Sequence, residues 1–522
     1  MFVAGGTLLG VEIAASRVLA PFFGNSLFVW GALIGVVLAG LAVGYWIGGA
    51  LVDRFPTVSL LLGAAAAGAA AVVLIPLVDE PVLRAIVSWD PGPRTNPVLA
   101  AVILFGPASV LLAAIVPIAV RLRTVSVEDA GRTAGRLFAL STIGSIVGTF
   151  ATAFWLIPEL GTDELMGFLA AGVFGAITLL AVSRRLYAVG VLTLAAAAGA
   201  VAIAFAVAPP SNAEQLEGIA LKNWSPLYRL RGQDEPAPIL SGGELVYRKD
   251  TEYHRLNVID DAGTRYLRFD NSYQSAMQIG KPFATAFDYT DYFDLGLAYR
   301  PRTRDVLFIG LGGGSAPKRM WRDFPHLDLQ VVELDPEVVR VARRFFALPR
   351  HPRLRVHVQD GRRYLATHPR RWDVIAIDAF FADATPFHLT TREFLELVRD
   401  RLKPGGIVVT NALGAIRGPD SKLVRALYRT YRTVFPTVAL HPVHDVPSWD
   451  PTSYINQLIV ATEGALPGKR ILIDRWREIR ARAPLAPDLT GAIRDRYDGF
   501  VPLRDVPTLT DDYAPTDALL LN

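Results

Sequence analysis

The stretch VLFIGLGGGSAPKRMW, residues 306–321, decides how the second half of this chain is read. A short apolar run leads directly into Gly310, Gly312, Gly313 and Gly314, and a helical segment follows. That is a strand turning tightly into a helix, with backbone bare enough for a ligand to approach at the strand's carboxyl end. Around it, short β-branched runs alternate with segments of helical length: DVLFIG, LQVVEL, RLRVHV, WDVIAID, GIVVTNA, VALHPV and NQLIVAT. Strands of this kind, separated by helices, predict a doubly wound parallel sheet buried on both faces.

Acidic residues recur at the strand ends. Glu333 closes the second strand, 23 residues after Gly310, where a carboxylate can accept hydrogen bonds from both hydroxyls of a ribose. Asp360 and Gly361 follow the third strand, and Asp378 ends the fourth. Each acid alone suits a helix N-cap; three in register after successive strands make an acidic rim around one crevice. Such a rim disfavours a pyrophosphate dinucleotide and favours a cationic sulfonium nucleoside without phosphate. S-adenosylmethionine or its decarboxylated form is therefore expected in preference to NAD.

Upstream, GELVYRKD, HRLNVID and TRYLRFDN alternate in period two, with a turn at Asp260-Asp261-Ala262-Gly263, and predict a small antiparallel sheet. Residues 209–238 are Pro-rich and polar and read as a linker with a short helical turn. The chain before it is a different material. Of 102 charged residues only 20 lie in residues 1–210, ten of each sign, and the whole chain has a mean hydropathy of +0.32. Seven apolar runs of roughly 20 residues, enough to cross a bilayer, fall at about 1–22, 27–51, 58–78, 97–120, 137–158, 164–183 and 186–208. The first lacks a basic leader and carries Glu12 and Arg17, so it is expected to be retained rather than cleaved. Those two charges, about 140° apart around a helix, cannot pair tightly in one straight helix; they suit an interfacial position, a partner on another helix or a transport pathway. Dense Gly and Ala predict close helix packing.

Arginines at 54, 121, 123, 132, 136, 184 and 185 place the loops after spans two, four and six, and the N-terminus, in the cytoplasm. Seven spans then send residues 211–522 outside, against the cytosolic origin of an S-adenosyl nucleoside. The chemistry is given precedence, and a cytoplasmic catalytic domain is expected. The net charge of +4 is too small and too dispersed for a dedicated nucleic-acid binder. The lack of cysteine excludes disulfides, thiolate metal sites and a Cys nucleophile. His441, His444 and Asp445 stand close in HPVHD but without further ligands, and no metal is expected. Arg340, Arg343 and Arg344 read as a solvated face, and LTDDYAP at 509–515 as a strap that closes over the site or caps the fold.

These segments resemble the spermidine synthase family of polyamine aminopropyltransferases. GLGGGS looks like its glycine loop, VVELDPEVV its ribose strand and helix, VHVQDGRRYL its adenine-side segment, and WDVIAIDAF its catalytic strand end. LRFDNSYQSAM looks like its small β-domain signature, and DYTDYFDL like the segment entering the core. The similarity covers roughly residues 240–465. ASRVLAPFFGNSLFVWG and LAGLAVGYWIGGALVDRFP resemble the membrane part of fused bacterial members.

The resemblance implies a membrane α-helical bundle followed by an α/β unit with the Rossmann-like class I S-adenosylmethionine-dependent transferase fold. The expected parts are a transmembrane domain at 1–208, a linker at 209–238, a small β-domain at 239–280, the Rossmann domain at 281–465 and a helical tail at 466–522. It implies cofactor contacts from Gln274, Gly310, Gly312, Gly313, Gly314, Ser315, Glu333, Asp360 and Gly361. Asp378 then takes the amine's proton, Tyr292 hydrogen-bonds the amine, and Asp383 anchors its distal ammonium. Three features depart from the family: Ser315 stands where an Asp is usual, DAFFADATP replaces Asp-Ser-Ser-Asp-Pro, and Tyr292-Phe293-Asp294 replaces Tyr-His-Glu. All three face the amine. The expected activity is aminopropyl transfer from decarboxylated S-adenosylmethionine to a putrescine-like polyamine at a lipid bilayer, releasing methylthioadenosine. The alternatives are an S-adenosylmethionine methyltransferase and a transporter or sensor with a non-catalytic nucleoside- or polyamine-binding domain. The oligomeric state is left open.

Overall fold

The computed structural model describes residues 1–23, 27–89, 91–92, 94–160, 162–207, 243–251, 253–270, 272–379, 386–444 and 449–520. The expected linker at 209–238 lies outside them. The chain forms two compact units, one built on the N-terminal helices with Tyr247–Arg255, the other on Leu256–Asn522 with Gly242–Val246.

In the first unit, seven helices are long and apolar enough to cross a membrane: Phe2–Ala20, Phe28–Arg54, Val58–Trp89, Gly106–Arg123, Val127–Leu156, Glu164–Ser183 and Tyr187–Ala204. Three differ in extent from the apolar runs. The third continues through Asp79 and Pro81 to Trp89, past its expected end at 78, with Glu80 and Arg84 paired one turn apart on it. The run expected at 97–120 divides at Phe105 into Thr95–Leu104 and Gly106–Arg123, because Pro107 lacks a backbone donor. The fifth starts at Val127, ten residues early, with Glu128 and Asp129 in its first turn, where the helix dipole favours acids.

Glycines set the close crossings of this bundle. A Cβ at Gly44 would lie 2.3 Å from the Val110 carbonyl oxygen, and one at Gly144 would lie 2.0 Å from that of Phe2. Arg17 donates to the carbonyl oxygen of Thr251 at 3.0 Å. Asp250 accepts from the backbone N–H of Thr162 at 3.1 Å and pairs with Arg255 at 2.8 Å. Arg17 is thus held by backbone within its own unit through Nη2, while its buried Nη1 has no hydrogen-bond partner among the described residues.

The small sheet has the order β1(Glu244–Asp250), β2(Arg255–Asp261), β3(Thr264–Phe269), β4(Ser272–Gln278), with β2–β3 and β3–β4 antiparallel. The large sheet contains β5(Asp305–Ile309), β6(Asp328–Glu333), β7(Leu354–Val358), β8(Trp372–Ile377), β9(Leu402–Gly414), β10(Thr437–Pro442) and β11(Ile455–Thr462). Its order is β10-β11-β9-β8-β5-β6-β7. Pairs β5–β6, β6–β7, β5–β8 and β8–β9 are parallel, which is a Rossmann-like core. β11 runs antiparallel to both β9 and β10, so the expectation of a wholly parallel sheet is corrected. Residues 443–454 between β10 and β11 contain no helix among those described, and a parallel return needs a crossover of a dozen or more residues, usually helical.

Alternation along β5 and β8 sends side chains to two cores. Val306, Phe308, Val374 and Ala376 pack on one face with Trp476 and Ile493; Leu307, Ile309, Ile375 and Ile377 pack on the other with Phe394 and Leu427. Burial on both faces leaves the carboxyl ends of the strands as the sheet's open edge.

Candidate active site

Hydrogen bonds just past the strand ends tie that edge into one rim. Gly310 N–H donates to the Val332 carbonyl, Asp378 N–H to that of Ile309, and Gln359 N–H to that of Glu333, at 2.8, 2.8 and 2.9 Å. Gly310 has φ +97°, and a Cβ there would lie 2.1 Å from the Asp378 carbonyl oxygen. Only glycine satisfies both conditions. The loop continues through Gly312, Gly313 and Gly314 into the helix Ser315–Asp323, and Gly313 N–H donates to Ser275 Oγ at 2.8 Å. Ser275, the neighbour of the expected Gln274, clamps the glycine loop from the small sheet; the sequence signal for it was the SYQS run, where only Gln274 was singled out.

Glu333 is buried, with one carboxylate oxygen accepting from Leu311 N–H at 3.0 Å and the other from Asp335 N–H at 2.9 Å. Burial pushes its carboxyl up to about 7 despite these bonds. Its side chain is a staple between the glycine loop and the end of β6. Asp360 caps the helix Gly361–Thr367 by accepting from Arg363 N–H at 2.8 Å, and its other oxygen meets His388 Nε2 at 3.1 Å. His388 is the first cause that holds this carboxyl below the usual range. Gly361 packs against Ile309, which a Cβ would approach to 2.4 Å. Ser315 Oγ lies 3.4 Å from the Ala276 carbonyl oxygen.

Asp378 is half-buried after β8 and is held by two donors. Asn411 Nδ2, from β9, donates to it at 3.1 Å, and the Tyr289 hydroxyl forms the second bond. Desolvation pushes the Asp378 carboxyl up to about 6, against the opposing effect of both donors. Both holders also line a cavity of about 430 Å³, together with Gln274, Asp288 and Asn456.

The expected Tyr292 is not the tyrosine on Asp378. It is buried with its hydroxyl on the His444 backbone, and Tyr289, three residues earlier in the same DYTDYFD segment, is the tyrosine hydrogen-bonded to Asp378. Tyr289 and Tyr292 fall in successive 3-10 turns, Asp288–Thr290 and Tyr292–Asp294, and so point to different neighbours. Asp294 is spent on a buried ion cluster: Arg319 reaches it at 2.8 Å, Asp291 at 2.9 Å and Asp323 at 3.6 Å. Asp383 and Asp445 lie outside the described residues.

His441 uses both ring nitrogens, on the Tyr299 hydroxyl and the Ala492 carbonyl, each at 2.9 Å, and burial pushes it down to about 4. Arg343 and Arg344 are exposed, and Arg340 pairs with Glu337. In the C-terminal strap Asp511 grips Arg362 and Thr391, beside the Asp360 end of the rim.

Residues 289–458 match the family model of the spermine/spermidine synthase domain. The match lies within the C-terminal half of the chain. Within the matched residues fall the glycine loop, Glu333, Asp360, Asp378 and Asn411. A polyamine aminopropyltransferase of Vibrio vulnificus is 29% identical over 242 residues, covering 45% of this chain and 75% of that protein. A probable polyamine aminopropyl transferase of Bifidobacterium longum is 30% identical, over 28% of this chain and 32% of its own. An N-terminal histidine N-methyltransferase of Emericella nidulans is 28% identical, over 51% of this chain and 48% of its own. The chain therefore spans between about a third and three quarters of these relatives. Among solved structures, a probable spermidine synthase from Corynebacterium glutamicum is similar at 23% identity, covering 49% of this chain and 98% of that one, with a TM-score of 0.39.

Proposed function

We propose that this protein is a membrane-bound aminopropyltransferase that moves an aminopropyl group from decarboxylated S-adenosylmethionine to a putrescine-like polyamine. The observation that carries this reading is Asp378, a carboxylate held by Asn411 and Tyr289 where both line a cavity that also contains Asp288 and Gln274. The names of the Vibrio and Bifidobacterium relatives and the domain match support the same activity.

In the proposed step the neutral amine nitrogen attacks the propyl carbon beside the sulfonium. A C–N bond forms, the C–S bond breaks, and the electron pair leaves on sulfur as methylthioadenosine. The amine's proton passes to Asp378. An alkylammonium ionises near ~10, so an adjacent carboxylate that holds the cation and accepts its proton supplies general-base assistance. A carboxyl at about 6 is ionised at neutral pH and is a stronger base than an ordinary Asp. Tyr289 replaces Tyr292 in the proposed amine contact. Glu333 is assigned to the ribose, Gly310, Gly312, Gly313, Gly314 and Ser315 to the sulfonium side, Gln274 to the cofactor side of the cavity, Asp360 and Gly361 to adenine, and Asp383 to the distal ammonium. The helical unit is assigned to a lipid bilayer and the catalytic unit to the cytoplasm.

Methyl transfer from S-adenosylmethionine is the second reading. Ser315, in place of an acid that would repel a methionine carboxylate, and the histidine N-methyltransferase relative favour it. Full-length protein given decarboxylated S-adenosylmethionine and putrescine is expected to release methylthioadenosine, read by chromatography. S-adenosylhomocysteine formed from S-adenosylmethionine would establish the methyltransferase instead, and nucleoside binding without either product would leave a sensor or transporter.

A further inference from the structure

Asn456 lies on β11 and Asn411 on β9, and the antiparallel register pairs Asn411 with Leu458 and Asn456 with Leu413. Residues two apart on a strand share a face, so Asn411, Leu413 and Asn456 all face the same side, and all three line the cavity. Asn456 Nδ2 donates to Asn411 Oδ1 at 2.9 Å, and Asn411 Nδ2 donates to Asp378 Oδ1 at 3.1 Å. The two bonds form one directed chain: amide, amide, carboxylate. An ionised carboxylate only accepts, so the Asn411 amide must turn its nitrogen to Asp378 and its oxygen away. That oxygen is buried beside a second donor, and the donor is Asn456. Without it, a flipped Asn411 would set its own carbonyl against Asp378.

We propose that Asn456 is a positioning residue that, through Asn411, keeps a hydrogen-bond donor on Asp378 and so fixes the carboxylate's orientation and charge for the amine. The inference rests on the transfer reading above. Asn411 and Asn456 stand in the strand runs GIVVTNA and NQLIVAT, outside the cofactor and amine contacts that the resemblance implied. Uncharged groups reach Asp378 from the neighbouring elements. The 288–290 turn contributes Tyr289, β9 contributes Asn411, β11 acts through Asn456, and the glycine loop faces it with Gly310, which has no side chain. Among the described residues, its hydrogen-bonded neighbours are therefore neutral, and the donors on it are what oppose the effect of burial.

The test uses the full-length protein and three variants. Asn456→Leu removes the donor and keeps the bulk; Asn456→Asp keeps the shape and replaces the donor by an acceptor; Asn456→Gln retains an amide. The pH profile of kcat/KM for methylthioadenosine formation is expected to move its acid limb to higher pH in Asn456→Leu and Asn456→Asp. A shift of about one unit means roughly fivefold less activity near pH 6, approaching tenfold below about pH 5, and little change near pH 9. Asn456→Gln should recover part of the loss. A uniform drop at every pH, or an unmoved acid limb in both donor-less variants, would overturn the proposal. The titration of Asp378 in protein labelled with ¹³C at the aspartate carboxyl, its signal identified by Asp378→Asn, reads the same chain without turnover. Wild-type protein that forms no methylthioadenosine sinks the transfer reading, while an Asp378 titration unchanged in Asn456→Leu sinks the relay.

Discussion

Asp378 brings together opposing demands on one side chain. Its desolvation raises its proton affinity, which suits a base, while the bonds from Asn411 and Tyr289 keep it ionised enough to act at neutral pH. Asp378→Asn preserves shape and an acceptor but cannot take a proton. Turnover is expected to fall by roughly 10²–10⁴-fold with nucleoside affinity, measured by calorimetry, nearly intact. Because the proposed base acts only when ionised, wild-type activity should rise with pH through about 6 and fall off below it. Tyr289→Phe, which removes one of the two donors, is expected to slow turnover several-fold, on the order of 1 kcal/mol. Tyr292→Phe should leave it almost unchanged, since that hydroxyl serves the His444 backbone. Equal losses in the two phenylalanine variants would contradict the geometry. The sequence offered both tyrosines in DYTDYFD; nothing in their spacing tells which of two consecutive turns faces the end of β8.

At the scale of elements, the glycine loop depends on groups that reach it from β6 and the small sheet. Glu333 contributes both carboxylate oxygens, and its folded carboxyl sits above the ordinary value of 4.5 at about 7. A raised acid favours the folded state fully below its unfolded value, and that contribution is lost as pH rises through the folded one. Glutamine does not titrate and can accept with one oxygen only. The destabilisation by Glu333→Gln is therefore expected to be largest near pH 4 and to shrink toward pH 8 by roughly 3 kcal/mol, seen in denaturant midpoints. A pH-independent difference would show that Glu333 ionises normally. The helix Ser315–Asp323 is anchored by the buried Arg319, which faces Asp291, Asp294 and Asp323. Arg319→Met leaves those carboxylates without their cation and should cost about 3–5 kcal/mol in the same measurement. This cluster was not legible beforehand. A helix reading SAPKRMWRD shows three basic residues without saying that two of them, Lys318 and Arg319, are buried.

For the whole molecule, the arginine rule and the proposed co-substrate place residues 211–522 on opposite sides of a membrane. The seven long apolar helices match the number of apolar runs, and the arginines at 54, 121, 123, 184 and 185 stand in the last turn of a helix or just after it, whereas Arg132 and Arg136, expected in a loop, lie inside the helix Val127–Ala151. Taken alone they place residues 211–522 outside. A nucleoside drawn from the cytosol requires the opposite. A reporter fused after Asn522 is expected to be active in the cytoplasm; alkaline-phosphatase activity from that fusion would give the arginine rule precedence and remove the cytosolic source of co-substrate.

What the sequence by itself determined was whatever depends on local periodicity and on steric permission. The long apolar runs located the long helices, short β-branched runs located the strands of the large sheet and period-two alternation those of the small one, and glycines at 310–314 located the turn whose positive φ at Gly310 no side chain accommodates. Acids at successive strand ends located the rim, because strand ends follow from strand positions. The tertiary structure decided which side chains meet across strands and turns. β11 runs antiparallel, and only that direction sets Asn456 beside Asn411 and so behind Asp378. Ser275 reaches the glycine loop from another sheet, and Tyr289 rather than Tyr292 reaches the carboxylate. Such meetings depend on strand direction and on the rotation of a turn about its axis, and neither leaves a period in the sequence.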